Sequence, residues 1–85
     1  MKQTQVDKLR KYVEKHPIFT IRDVHKVTNA NNPYDVLLNL KRETMDIWYE
    51  DVKNKNGVRF RVFWKGLIYE YYFNRYLRKH NLELA

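Results

Sequence analysis

The spacing of apolar side chains changes from a helical to a strand-like period near residue 45. Over residues 3–16 the apolar side chains recur at helical spacing with basic side chains between them, which predicts an amphipathic helix. Pro17 ends this helix because proline lacks the amide that the next turn requires. Ile18 and Phe19 follow as an apolar link that must be buried.

A second helix is predicted over residues 21–28. Thr20 and Asp23 have the form of a capping box, in which each side chain bonds to the backbone amide of the other residue. Val24 and Val27 follow at helical spacing. We therefore expect a short helix here, followed by a polar turn rich in asparagine.

A third helix is predicted over residues 33–43, and its outer face is the main candidate for function. Pro33 suits the first helical position, and the side chain of Asn32 can cap the first turn. The apolar residues of this helix share one side, which leaves a polar and partly basic face around the rest. Those apolar residues are Val36, Leu37 and Leu40.

Residues 47–64 predict a β-hairpin, since two runs of β-branched and aromatic residues flank the turn formers of residues 53–57. Asn56 and Gly57 also allow a two-residue turn, which would give another register. We favour a five-residue loop because it pairs opposite charges across the strands and sorts most of the apolar groups onto one face. Its register sets Val52 opposite Val58, Asp51 opposite Arg59, and Trp48 opposite Val62.

A final long helix is predicted over residues 67–80, and it is apolar on more than one side. Because a chain of this size offers one core, we expect one face to pack on the first helix and the other on a second copy of the chain. The alternative is that the extra aromatic residues only cover a loosely built small domain. The expected dimer interface consists of Tyr69, Tyr72, Phe73 and Tyr76.

This order of elements resembles the winged helix-turn-helix superfamily of DNA-binding domains, over about residues 5–80. The segment 32–40 looks like the start of a recognition helix, and the basic, glycine-containing loop 53–57 occupies the place of the wing. The final helix looks like the dimerisation helix of some small bacterial and phage regulators. The fold class is then α+β and mostly α, with three helices, a two-stranded wing and a long C-terminal helix in one domain over residues 1–85.

The resemblance implies a role for each element. The third helix would enter the major groove of duplex DNA, and the wing would contact the neighbouring backbone. The implied DNA contacts are Asn31, Asn32, Tyr34, Asn39, Lys41 and Arg42 on the helix side, and Lys53, Lys55, Arg59 and Arg61 on the wing.

The chain is basic, because its 17 Lys and Arg against 10 Asp and Glu give a net charge of +7. Residues 53–80 hold eight basic groups and one acidic group, whereas residues 17–52 hold four basic and six acidic groups. Such a field suits phosphate backbones or an acidic protein. We expect a sequence-specific DNA-binding homodimer, a transcriptional regulator of the compact kind found in phages or plasmids.

Two other functions remain open. The acidic balance of residues 17–52 favours a protein-binding adaptor or inhibitor that docks through the tyrosine-rich last helix, whereas the basic wing disfavours it. An RNA or single-strand binder is the third possibility, with aromatic side chains of the hairpin as stacking groups. We expect these aromatics to be mostly core, because alternation places several of them on one face of the hairpin. These side chains are Trp48, Tyr49, Phe60 and Trp64.

Several classes of chemistry have no support in the sequence. There is no cysteine, and His16, His25 and His80 are too far apart for a metal-binding pair on one element. Only two glycines are present, so no glycine-rich phosphate loop exists. We expect no enzyme, no cofactor and no metal site. The absence of a membrane-length apolar run or a signal-like start predicts a soluble, cytoplasmic protein.

Overall fold

The computed structural model describes residues 4–44, 46–66 and 70–85. Within these residues the chain is α+β and mostly helical, as predicted, with four helices and a four-stranded antiparallel sheet. The helices are α1 (Gln5–Lys15), α2 (Ile21–Thr28), α3 (Pro33–Thr44) and α4 (Glu70–Lys79). The strands are β1 (Ile18–Thr20), β2 (Ile47–Lys53), β3 (Arg59–Lys65) and β4 (Glu83–Leu84).

Capping boxes set the first residues of α1 and α2. Thr20 and Asp23 form the predicted box, in which the backbone amide of Thr20 donates to the Asp23 carboxylate at 3.0 Å. An equivalent box joins Thr4 and Asp7, whose pattern we did not identify in the sequence. It makes Gln5 the first residue of α1, so the predicted start at residue 3 is too early.

The start of α3 is at Pro33 as predicted, but the predicted side-chain cap is wrong. Asn32 accepts from the Asp35 amide through its backbone carbonyl, at 3.2 Å. Its side chain makes no hydrogen bond within the described part of the chain. At the other end α3 extends to Thr44, one residue beyond the prediction, where the Thr44 hydroxyl donates to the Leu40 carbonyl at 3.1 Å.

The strand order in the sheet is β1-β3-β2-β4, and both outer strands were missed in the sequence. Ile18 and Phe19, predicted as a link, form β1 and lie opposite Trp64 and Phe63 of β3. β4 pairs with the end of β2. Strands of two or three residues are too short to display the alternation by which a strand is recognised.

The predicted hairpin register is wrong by two residues. Asp51 lies opposite Arg61 rather than Arg59, and Val52 lies opposite Phe60 rather than Val58. Because side chains alternate with a period of two, this even shift leaves every side chain on its predicted face of the sheet. Asp51 still pairs with an arginine on the facing strand, but the arginine is Arg61, whose Nε donates to the Asp51 carboxylate at 3.3 Å.

The two faces of the sheet belong to two hydrophobic clusters. On one face Phe19, Ile47 and Phe63 pack with the buried side chains of α1, α2 and α3. On the other face Val52 and Val62 pack with α4. The three-helix layer and the last helix therefore pack on opposite faces of the sheet, and the described residues form two small clusters where the sequence suggested one core.

This layering corrects the predicted packing of α4. Leu77 is buried in the second cluster, with Phe73 and Tyr76 packed around it, so the apolar face of α4 lies on the sheet and not on α1. The described helix covers residues 70–79 of the predicted 67–80 and ends at Lys79; residues 67–69 lie outside the described part. Among the described residues, no helix combines the length and apolar character needed to cross a bilayer.

Candidate nucleic-acid interface

The turn before α3 is held from inside the core. The buried Thr28 hydroxyl donates to the Val24 carbonyl at 2.7 Å and accepts from the Ala30 amide at 3.3 Å. Asn29 ends α2 in the left-handed conformation, with φ of 52°, which asparagine adopts more readily than most residues. These contacts fix the start of α3 relative to α2 and thereby the direction of its outer face.

The side chains of α3 divide into a buried and an exposed face. Val36, Leu37 and Leu40 are buried in the first cluster. On the other face Tyr34 and Leu38, one turn apart, each keep 47% of their surface exposed. The outer face thus carries apolar contact area that the fold itself does not use. The predicted contacts Asn31, Asn32, Tyr34, Asn39, Lys41 and Arg42 are all exposed.

Leu38 was not among the predicted contacts, although it is a strong candidate. It lies between Leu37 and Asn39, outside the apolar stripe that the spacing of the helix defines. The sequence did contain a signal for Leu38, because a branched apolar residue outside the buried stripe indicates exposed apolar surface. Its exposure gives the face a group suited to a thymine methyl, beside polar groups suited to base edges.

Of the charged side chains at the end of α3, the acidic one has an ion-pair partner and the basic ones do not, among the described residues. Glu43 accepts from Arg10 of α1, which also donates to Asp7 at 2.5 Å. The Arg10 hydrogen bond is the main cause that holds the pKa of Asp7 below its ordinary value, and the bonds to Glu43 and Asp7 raise the pKa of Arg10. Lys41 and Arg42 form no ion pair with any described residue.

The tip of the β2–β3 hairpin is built by Asn54 and Gly57. The Asn54 side-chain oxygen accepts from the amides of Asn56 and Val58, at 2.9 and 3.0 Å. The Gly57 amide donates to the Asn54 carbonyl at 3.0 Å, and Gly57 has a φ of 79°. The Asn54 amide also donates to the Val58 carbonyl at 3.0 Å, so residues 55–57 form a three-residue loop that ends in the left-handed glycine. This loop sets the observed register.

The predicted cations of this hairpin differ in how they are paired. Lys53 lies 3.5 Å from Glu83 of β4, and Arg61 bonds to Asp51 while its guanidinium lies 4.5 Å from the centre of the Tyr49 ring. Lys55 and Arg59 are exposed, and neither has an ion-pair partner among the described residues. Only these two are fully available to an external anion.

The hairpin cations face the same side of the sheet as the helical layer. Phe63 packs into the first cluster with the helices, and Arg61 and Arg59 follow at two-residue steps along β3. Lys53 lies directly opposite Arg59 on β2 and so shares that face. The arrangement places the hairpin charges and α3 on one side of the sheet, with α4 on the other.

The residues predicted for a dimer interface are separated by the fold. Phe73 and Tyr76 belong to the second cluster, whereas Tyr72 keeps 55% of its surface exposed. Tyr71, which we did not predict, is 61% exposed and contacts Tyr72 edge to face, with ring centres 5.4 Å apart. Tyr69 lies outside the described residues.

The hairpin aromatics are less buried than expected. Trp48 and Tyr49 are exposed, so the prediction that most of these groups are core is wrong for them. Phe60 and Trp64 are half-buried, and Trp64 contacts Phe73 of α4 with ring centres 5.2 Å apart. Trp48 lies at the start of β2 opposite Trp64, and its indole N–H donates to the Asp46 carboxylate at 3.4 Å.

The described residues contain no group of three or more His, Cys, Asp or Glu side chains arranged to hold a metal ion. No family model matches the chain, and neither a curated protein nor a solved structure matches it.

Proposed function

We propose that this protein binds double-stranded DNA as a winged helix-turn-helix domain, with α3 as the recognition helix and the β2–β3 hairpin as the wing. The observation that carries the proposal is the outer face of α3, where Tyr34, Leu38 and Asn39 are exposed on a helix whose other side is fully packed. A helix in the major groove reads bases with this mixture of polar and apolar groups.

Phosphate contacts come from the cations that have no partner within the described structure. Lys41 and Arg42 lie in the last turn of α3, and Lys55 and Arg59 lie on the wing. Lys53 and Arg61 already pair with exposed carboxylates, and such surface pairs are weak enough for a phosphate to replace the carboxylate. The four cations without ion-pair partners among the described residues therefore contribute most of the phosphate contacts in this proposal.

Asp35 is exposed in the first turn of α3 and repels phosphates near that end of the helix. A carboxylate can accept a hydrogen bond from the amino group of cytosine, which gives it a specific place in the major groove. The proposal therefore predicts a cytosine opposite Asp35 in the preferred site.

The experiment that tests base reading is selection of bound duplexes from a random pool, followed by affinity measurements on the selected site. Asn39→Ala is expected to reduce discrimination against the altered base by about 1–3 kcal/mol and to leave binding to random duplex nearly unchanged. Asn74→Ala is the matched control, since Asn74 is an exposed asparagine on α4.

A pool that yields no preferred sequence contradicts specific reading by α3. Equal effects of Asn39→Ala and Asn74→Ala contradict the assignment of the reading face.

The proposal includes a homodimer that acts as a transcriptional regulator, because two reading helices cover two half-sites about one helical turn apart. Of the described residues expected at its interface, Tyr72 remains exposed and has Tyr71 beside it. Light scattering is expected to give twice the mass of the chain. A monomer at every concentration would remove the homodimer from the proposal and leave single-site DNA binding to the selection experiment.

A protein-binding adaptor or inhibitor remains the second candidate function. It is favoured by the exposed tyrosines of α4 and by the groove that α4 forms with the end of α1.

A further inference from the structure

A broad, open groove of about 1040 Å³ lies between the end of α1, the start of β1 and the side of α4 that carries Tyr72 and Tyr76. We call it the α1–α4 groove. Its lining residues come from α1, β1, α2 and α4, and it is separate from the outer face of α3 and from the wing tip. They are Tyr12, Lys15, His16, Pro17, Ile18, Asp23, Tyr72, Arg75, Tyr76, Lys79 and His80.

The charge at the groove is predominantly positive. Lys15, Arg75 and Lys79 are exposed at its border, and none of them has an ion-pair partner among the described residues. Asp23 is the one carboxylate in the lining, and it is already engaged in the capping box with Thr20. Three cations against one engaged carboxylate favour an anionic occupant.

The interior of the groove is apolar and aromatic. Ile18 and Pro17 contribute aliphatic surface, and Tyr12 and Tyr76 contribute rings. Burial, with the nearby charge of Asp23, raises the pKa of Tyr76 to about 12, so its hydroxyl stays protonated and neutral at physiological pH. The occupant therefore needs apolar side chains as well as negative charge.

Ring contacts distinguish a peptide from a single-stranded nucleic acid. Tyr12 stacks on His16 with ring centres 4.6 Å apart, and Tyr76 contacts His80 at 4.3 Å. The rings of Tyr12 and Tyr76 thus already have aromatic neighbours, and Tyr72 is the one lining tyrosine that is mostly exposed. A platform for single-stranded nucleic acid instead presents several open ring faces to successive bases. A second copy of this chain would bring the same three cations to the groove, which disfavours it as the occupant.

We propose that the α1–α4 groove binds an acidic peptide segment of another protein, with apolar side chains against Ile18 and the tyrosine rings and carboxylates at Lys15, Arg75 and Lys79. The ten residues of α4 span about 15 Å, which about five extended peptide residues cover. The site is independent of the DNA-binding face, so either activity can be tested without the other.

The test uses the full chain and a fluorescent synthetic peptide of about eight residues, rich in aspartate and glutamate and carrying one phenylalanine and one leucine. Fluorescence anisotropy measures its affinity for the unmodified protein and for two double variants. Arg75→Glu with Lys79→Glu changes the groove, and Lys55→Glu with Arg59→Glu changes the wing by the same total charge.

The groove variant is expected to bind the peptide about tenfold more weakly or worse, and the wing variant is expected to bind within about twofold of the unmodified protein. A peptide with its apolar residues replaced by glycine is expected to lose most of its affinity. Circular dichroism checks that both variants fold.

Three outcomes overturn the proposal. Equal losses in the groove and wing variants indicate nonspecific attraction to net charge. If the protein instead binds a single-stranded oligothymidine more tightly than the peptide, and only the groove variant weakens that binding, the groove is assigned to nucleic acid. If the protein binds no peptide and forms a dimer that dissociates in the groove variant, the groove is assigned to a second copy of the chain.

Discussion

At the scale of single residues, a few polar side chains determine how the backbone turns. Asn54 accepts two backbone amides at the hairpin tip, and Thr28 holds the turn that leads to α3. The identity of these residues was visible in the sequence, but their partners were not. Asn54 therefore appeared only as one of several turn formers, and the register that it sets was predicted two residues away from the observed one.

The left-handed glycine of the hairpin gives the first prediction. Gly57→Ala is expected to lower the free energy of unfolding by about 1 kcal/mol, because a Cβ is strained at a φ of 79° although nothing lies within 4 Å of it. Urea unfolding measures the change. Lys55→Ala, in the same loop, is the control and is expected to stay within about 0.5 kcal/mol. A neutral Gly57→Ala would contradict the turn geometry.

A second residue-scale prediction concerns alkaline pH. Burial is the main cause that raises the pKa of Tyr76 from 10.0 to about 12. The unfolded chain releases this proton near pH 10 and the folded chain retains it to about pH 12, so the contribution to stability is complete below pH 10 and falls between pH 10 and 12.

Urea unfolding at a series of pH values is the measurement for this prediction, with Tyr76→Phe as the comparison. The substitution is expected to remove part of the decline between pH 10 and 12. Identical pH profiles for the two proteins would mean that Tyr76 titrates alike in both states.

At the scale of elements, periodicity predicts what is long and regular. The bounds of α2 were predicted, as was the start of α3, because Thr20 and Pro33 mark them chemically. β1 and β4 were not predicted, because strands of three and two residues are too short to show a period. Their partner strands are also distant in the sequence. The packing of α4 was also mispredicted, because a sheet with helices on both faces offers two places for apolar side chains.

The position of α4 gives the third prediction. Leu77 is 6% exposed within the second cluster, so Leu77→Ala is expected to reduce the free energy of unfolding by about 2–4 kcal/mol. Urea unfolding measures the change, and in a Trp48→Phe background the fluorescence of Trp64, close to Phe73, reports on α4 itself.

Tyr71→Ala provides the matched test on the outer side of α4. Tyr71 is mostly exposed, so its loss is expected to change stability by less than about 0.5 kcal/mol. If both substitutions were equally mild, α4 would not be packed on the sheet.

At the scale of the whole molecule, the distribution of unpaired cations matters more than the net charge of +7. The sequence predicted the candidate side chains of α3, and the structure places them on the exposed face of that helix. It did not predict which cations are paired within the chain, because Lys53 meets Glu83 only through the pairing of β4 with β2. The α1–α4 groove was invisible for the same reason, since its borders come from distant segments.

The most direct test of the DNA-binding proposal is the salt dependence of affinity for a random duplex, measured by anisotropy for three proteins. The unmodified chain is expected to bind at low salt and to weaken steeply as salt rises, because neutralised phosphates release counterions. Lys41→Ala with Arg42→Ala is expected to reduce the slope of log K against log salt by about 2, and Arg75→Ala with Lys79→Ala is expected to leave it unchanged. Absence of binding at low salt, or equal slopes for the two variants, would contradict the proposal that α3 lies against the DNA backbone.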